Sequence, residues 1–123
     1  ALYEQLHAQG HAHTLEVWQG EALVGGIFGV ALGGAFFGES MFSRVPNASK
    51  LALAHTVDRL ARAGFALFDT QYLTAHLKSL GGLEISRADY RKSLANALKM
   101  EADFTKPAVA TAQSILQRMT QTS

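Results

Sequence analysis

The sequence predicts an α/β fold of the α+β kind, with a mixed, mainly antiparallel sheet flanked by helices. Three observations lead there. Between His13 and Arg44 the apolar residues alternate at period two, in runs broken by short turn signals. Two longer segments, near 47–63 and 86–100, carry helical spacing and cap residues instead. Between them lies a short apolar run, Phe65 to Asp69, of the kind that forms a buried central strand.

Taken in order, Ala1 to Gln9 (ALYEQLHAQ) reads as a helix closed by Gly10, with Leu2 and Leu6 on one face. HTLEVW, His13 to Trp18, alternates as a strand, and QGEA turns into the next. The stretch LVGGIFGVALGGAFFGESMF, Leu23 to Phe42, holds six glycines and one acid. A membrane helix there would be short, and each glycine costs roughly 1 kcal/mol against alanine in a helix. A hairpin fits better, with Gly33-Gly34 as a type I′ turn and Ala35 to Arg44 as the returning strand. A helix from Asn47 or Ser49 to about Ala63 follows, with Leu51, Ala54, Val57, Ala61 and Leu60 as its buried stripe and Gly64 as its end. After Phe65 to Asp69, Leu73 to Leu80 reads as a helix and Leu83 to Ile85 as a brief strand. Ser86 then caps a helix to about Met100. Pro107 interrupts the tail, and a last helix is expected from Ala108 to Met119. Residues 1–100 are thus one domain and 101–123 a tail. The start inside an apparent element is the expected mark of a missing N-terminal part.

The totals agree with one folded domain. The chain has 123 residues, 48% hydrophobic and 17% charged, with a net charge of +1. A nucleic-acid partner must therefore be held by a local patch. There is no cysteine, hence no disulfide and no thiolate chemistry. Neither a signal-peptide pattern nor a stop-transfer run is found within these residues.

Four places can carry chemistry. Glu39 interrupts the apolar returning strand, on a face with Phe37, Met41 and Ser43 by simple alternation. It is either a rim glutamate in water or a carboxylate lining an apolar pocket cleared by glycines. Asp69 and Gln71, in FDTQ, close the short strand, where ligand groups collect in α/β folds; capping a turn is the plainer role. The histidines His7, His11, His13, His55 and His76 are scattered, and no metal site is expected. Arg87, Arg91 and Lys92 form a basic helix face, either plain solvated surface or a contact for phosphates.

The element order suits the acyltransferase kind of sheet domain, in which neighbouring strands splay to leave a cleft. CoA-dependent members cradle pyrophosphate on a glycine-rich turn before a helix. The matching place here, FSRVPNASK from Phe42 to Lys50, has no glycine. Several strings together point elsewhere: HAHTLEVW, LVGG, GESMFSR, NASK, DTQ and SLGGLEISRADY. Over roughly Ala1 to Met100 the chain resembles the leucyl/phenylalanyl-tRNA–protein transferases, in their C-terminal, acetyltransferase-like domain. The resemblance implies transfer of leucine or phenylalanine, and less readily methionine, from aminoacyl-tRNA to proteins with N-terminal arginine or lysine. That modification marks them for degradation by the N-end rule. It also implies a cytoplasmic enzyme with no cofactor, no metal and no membrane partner; we expect a monomer. Carried over by position, Asp69 and Gln71 match the reacting pair, Glu39 the acid by the aminoacyl-adenosine end, and Ile27, Met41 and Phe68 the side-chain pocket. Thr56 and Leu60 depart from the aromatic residues the family pattern expects.

Overall fold

The computed structural model describes residues 2–70, 85–108 and 115. Its sheet has five strands in the order β1-β2-β3-β4-β5. These are β1 (Leu2–Gln9), β2 (Ala12–Gln19), β3 (Ala22–Leu32), β4 (Ala35–Ser43) and β5 (Leu67–Thr70). The first four pair antiparallel in succession, and β5 joins β4 in parallel. Helix α1 (Ala48–Ala63) supplies the crossover between β4 and β5 and packs on β2, β3 and β4. Helix α2 (Arg87–Leu98) follows, with the Ser86 hydroxyl accepting from the Asp89 amide at 3.1 Å.

The first segment is a strand, not the expected helix. Leu2 and Leu6 lie four apart, a spacing both periods satisfy, and what decides is residue 4. Glu4 lies opposite Val17 and is only 5% exposed. Its carboxylate takes a hydrogen bond from Arg59 Nη2 at 2.8 Å and meets His55 Nδ1 at 2.7 Å. A glutamate therefore occupies an inward strand position because α1 brings it two partners.

The same pairing explains why α1 is rotated from its expected stripe. Leu60 is buried, but Leu51, Ala54 and Val57 are half-buried and Ala61 is exposed. Ala52, Leu53 and Thr56 turn inward instead, beside His55 and Arg59. Asn47 occupies the N-cap in the left-handed conformation, with no hydrogen bond from its side chain.

The glycine-rich hairpin forms at the expected place, with Leu32 opposite Ala35. Gly33 alone takes positive φ, +55°, the pattern of a type II′ rather than a type I′ turn. Most other glycines in this stretch serve packing. A Cβ at Gly25 would come within 2.9 Å of Ala48 on α1, and one at Gly29 would overlap the Phe36 ring. That ring lies 4.9 Å from Phe104, nearly parallel, and His13 also stacks on Phe104 at 4.9 Å. Phe104 is thereby part of the same core as Leu15, Val17, Ile27 and Leu53.

The expected buried central strand is β5, only four residues long, half-buried, and last in the order among the described strands. The helix expected at Leu73 to Leu80 lies outside the described residues, as do most of the strand at Leu83 to Ile85 and most of the helix at Ala108 to Met119.

Candidate active site

Strand β4 does not alternate simply through Glu39. Gly38 lies opposite Gly29, and Ser40 opposite Phe28, so Glu39 is an extra residue, a β-bulge. Phe36 and Gly38 lie on the sheet face that α1 covers. Beyond the bulge Met41 and Ser43 take that face, opposite Ile27 and Gly25. Glu39 therefore does not share a face with Phe37, Met41 and Ser43 as plain alternation expects. Its side chain is exposed, between two residues that line a pocket.

That pocket is narrow, about 10 Å³, enough to seat one water. Ile27, Gly38, Ser40, Met41, Leu53, Phe68 and Thr70 line it. Ile27, Met41 and Phe68, named from the sequence as a side-chain pocket, are thus neighbours in space. Gly38 keeps it open toward β5, since a Cβ there would meet the Phe68 ring at 3.2 Å. Thr56 and Leu60 are buried in α1.

Asp69 is not among the lining residues. Phe68 lies opposite Phe36 and packs against the core, so alternation along β5 turns Asp69 to the other side of the strand. There the Tyr90 hydroxyl donates to Asp69 Oδ2 at 2.6 Å. The carboxylate's hydrogen bond, with lesser help from burial and from its charge, raises the Tyr90 phenol above its usual range. Tyr90 therefore stays protonated at neutral pH and remains a donor. The sequence did not single out Tyr90, because nothing local ties it to a carboxylate 21 residues earlier. Gln71, the second half of the expected reacting pair, lies outside the described residues.

Helix α2 runs back along β4 and β5. Its last turn reaches the β3–β4 hairpin, where the Gly34 amide donates to the Ala97 carbonyl at 2.7 Å. Its first half, carrying Tyr90, lies at the end of β5 where Asp69 and Thr70 sit. The start of α1 is closed to a phosphate by comparison: Ala48 is buried and the Ser49 amide donates to the Ser43 hydroxyl.

Elsewhere an open hollow of about 290 Å³ lies at the opposite end of the sheet, lined by His11, His13, Glu101 and Asp103 among others. Among the described residues no three His, Asp or Glu side chains are grouped as a metal ion requires. No described helix is long and apolar enough to cross a membrane.

The family model for leucyl/phenylalanyl-tRNA protein transferase matches residues 1–95. The chain belongs to this family. A leucyl/phenylalanyl-tRNA–protein transferase of Ruegeria pomeroyi is 62% identical over 123 residues, 100% of this chain and 59% of that protein. The transferase of Roseobacter denitrificans is 62% identical over 122 residues, covering 99% and 58%. The chain thus spans about three fifths of the length of these transferases. The family match takes in the whole sheet, α1 and Tyr90. Among solved structures, an aminoglycoside acetyltransferase from a soil metagenomic sample aligns with TM-score 0.48 and 14% identity, over 81% of this chain and 68% of that one.

Proposed function

We propose that this chain carries the acyl-transfer site of an aminoacyl-tRNA–protein transferase. It takes leucine, phenylalanine and, less readily, methionine from tRNA and joins them to proteins whose N-terminus is arginine or lysine, which marks those proteins for degradation. The observation that supports this reading best is the pocket of Ile27, Met41 and Phe68, next to the strand end that bears Asp69, in a chain of this family. No cofactor or metal enters the scheme.

The reaction is aminolysis of an activated ester, so positioning does most of the work. The ester bond from the tRNA ribose to the amino acid breaks, an amide forms to the acceptor's α-amine, and the amine's proton leaves with the ribose oxygen. An α-amine has pKa ~7.7–8.0, so a useful neutral fraction exists near pH 7 without a strong base. In this proposal the Gln71 amide oxygen accepts a hydrogen bond from the amine and holds it at the carbonyl. Asp69 orients Gln71, and Glu39 at the bulge faces the aminoacyl-adenosine end. Glu39 and Asp69 together favour a cationic N-terminal residue. In this proposal the pocket, which seats one water as it stands, widens by movement of Met41 and Phe68 to take the transferred side chain. Because one methylene is worth only ~1–3 kcal/mol, Leu, Phe and Met are all accepted to some degree.

The test is transfer of labelled leucine from charged tRNA to a peptide beginning with arginine, using this chain and the complete polypeptide that carries it. Transfer that fails when the peptide begins with glutamate, and that falls in Gln71→Ala and Asp69→Ala, is the expected result. Saturable acetyl-CoA binding with acetyl transfer, and none from tRNA, would overturn it.

A further inference from the structure

Helix α2 carries most of its positive charge near its N-terminal end. Arg87, Arg91 and Lys92 lie in its first half, and no basic residue lies in its last turn. A helix N-terminus bears partial positive charge, so cations there are disfavoured and belong at the other end. Arg87 and Arg91 are also i,i+4 neighbours, and two like charges at that spacing repel. All three side chains are exposed, and among the described residues none has an ion-pair partner. Asp89 lies between them, its backbone amide donating to the Ser86 hydroxyl, and its carboxylate makes no ion pair among the described residues. Asp89 in the first turn and Lys99 at the C-cap are favourably placed and offset part of this cost.

Its location gives it a use. Tyr90, one turn after Arg87 and next to Arg91, is the residue whose hydroxyl reaches Asp69 at 2.6 Å. The basic half of α2 is therefore fixed beside the strand end proposed above for catalysis. That strand end bears Asp69, and the exposed Glu39 lies on the neighbouring strand two residues past Phe37, which is opposite Asp69. Two carboxylates repel a polyanion, whereas they suit a cationic acceptor. A donor delivered on RNA needs positive charge close by, and α2 supplies it within the same fold. The whole chain is nearly balanced, with a net charge of +1, so a local basic stretch is what a phosphate backbone would meet.

We infer that the exposed face of α2 bearing Arg87, Arg91 and Lys92 contacts the phosphate backbone of the donor RNA next to its aminoacylated end, while Tyr90 on the same helix fixes Asp69. The inference rests on the transferase reading and names how one of its substrates is held. The acidic rim and the basic helix divide the labour, one for the acceptor's charged N-terminus and one for the donor's phosphates.

The experiment compares two donors in the complete polypeptide: leucyl-tRNA, and 3′-leucyl-adenosine, which has no phosphate. The variant is Arg87→Gln with Arg91→Gln, both on solvent-exposed positions. With leucyl-tRNA we expect KM to rise about 10-fold or more, and the slope of log KM against log salt to fall by about 1–2, since each phosphate contact contributes nearly one. With leucyl-adenosine both kcat and KM should match the parent. Binding of uncharged tRNA, followed by fluorescence anisotropy, should weaken in parallel. Unchanged tRNA binding and transfer in the variant would overturn the inference and leave the transferase reading standing. Equal losses with both donors, or a loss confined to the KM of the acceptor peptide, would also overturn it. If the parent transfers from neither donor but its tRNA binding still depends on these arginines, the transferase reading fails and the RNA surface stands.

Discussion

Two carboxylates of this chain are each held by a neighbour far off in sequence, and they differ in what surrounds them. Glu4 is 5% exposed, meets both His55 and Arg59, and closes a network sealed inside the protein. Arg59, itself fully buried, extends that network to the backbone carbonyls of Phe104 and Pro107 at 2.9 and 2.8 Å. Asp69 is half-buried at a strand end, takes one phenolic hydrogen bond, and lies beside a pocket. The lesson is that pairing alone does not mark a site. A charge sealed in on all sides tells how the chain holds together, and a charge with one partner and an open side is available for work.

The comparison can be broken by four measurements. The largest effect is expected from Glu4→Ala, which leaves the buried Arg59 guanidinium and His55 without their carboxylate. Removing one partner of a buried pair costs about 3–5 kcal/mol. Denaturant unfolding should show that loss, and a cost below about 1 kcal/mol would mean the network is not what anchors β1 to α1.

Asp69→Asn should do the reverse, lowering transfer about 100-fold while costing only about 1 kcal/mol of unfolding free energy, since the amide oxygen still accepts from Tyr90 in a weaker neutral bond. A variant that unfolds easily but transfers normally when folded would place Asp69 with Glu4 as a structural group. Tyr90→Phe sharpens the same point. Its hydrogen bond goes to a charged acceptor, and such bonds are worth ~1.5–3 kcal/mol. We expect a fall in kcat of roughly 10-fold, with KM for leucyl-adenosine unchanged; a change in KM alone would show that Tyr90 binds donor rather than holding Asp69.

The smallest effect is on pH dependence. Burial lowers the His13 pKa below 6.5, outweighing the opposing charge of Asp103, with His11 adding to the depression. The folded state then binds fewer protons than the unfolded one as pH falls below 6.5, so His13's stability contribution is present above that pH and lost below it. Glu4 acts lower down. Burial, its largest single influence, pushes its pKa up, but hydrogen bonds and charges from His55 and Arg59 together bring it below 4.5. Its contribution is present above that value and lost as pH falls through the folded one. Unfolding curves of His13→Phe should therefore lose the slope just below pH 6.5 and keep the one below 4.5. Identical profiles for variant and parent would assign the first slope to other groups.

Much of the fold was legible because much of it is local. Alternation located β2, β3 and β4, the Gly33-Gly34 pair located their turn, and Asn47, Gly64 and Ser86 bounded the helices. The errors at β1 and α1 share one cause, a polar residue whose place is set by a distant partner, whereas the turn type at Gly33-Gly34 and the place of β5 in the sheet depart for other reasons. Glu4 sits in β1's inward row, so the row reads as broken until His55 and Arg59, 51 and 55 residues on, are brought to it. The buried side of α1 was misjudged for the same reason, since the helix turns His55 and Arg59 inward rather than Ala54 and Ala61. At the candidate site the apolar members Ile27, Met41 and Phe68 converge, whereas the bulge at Glu39 and the tie from Tyr90 to Asp69 arise only from tertiary pairing. Sequence periodicity contains neither.

The bulge at Glu39 also acts as a phase shift. Upstream of it the even-numbered positions of β4 face α1, and downstream the odd-numbered ones do. A chain lacking only Glu39 would keep every other pairing with β3 and leave Phe36, Gly38, Met41 and Ser43 on the face they already share. The extra residue thus changes which numbering parity faces α1 and sets a carboxylate at the irregularity, while the pairing on either side is that of a regular ladder.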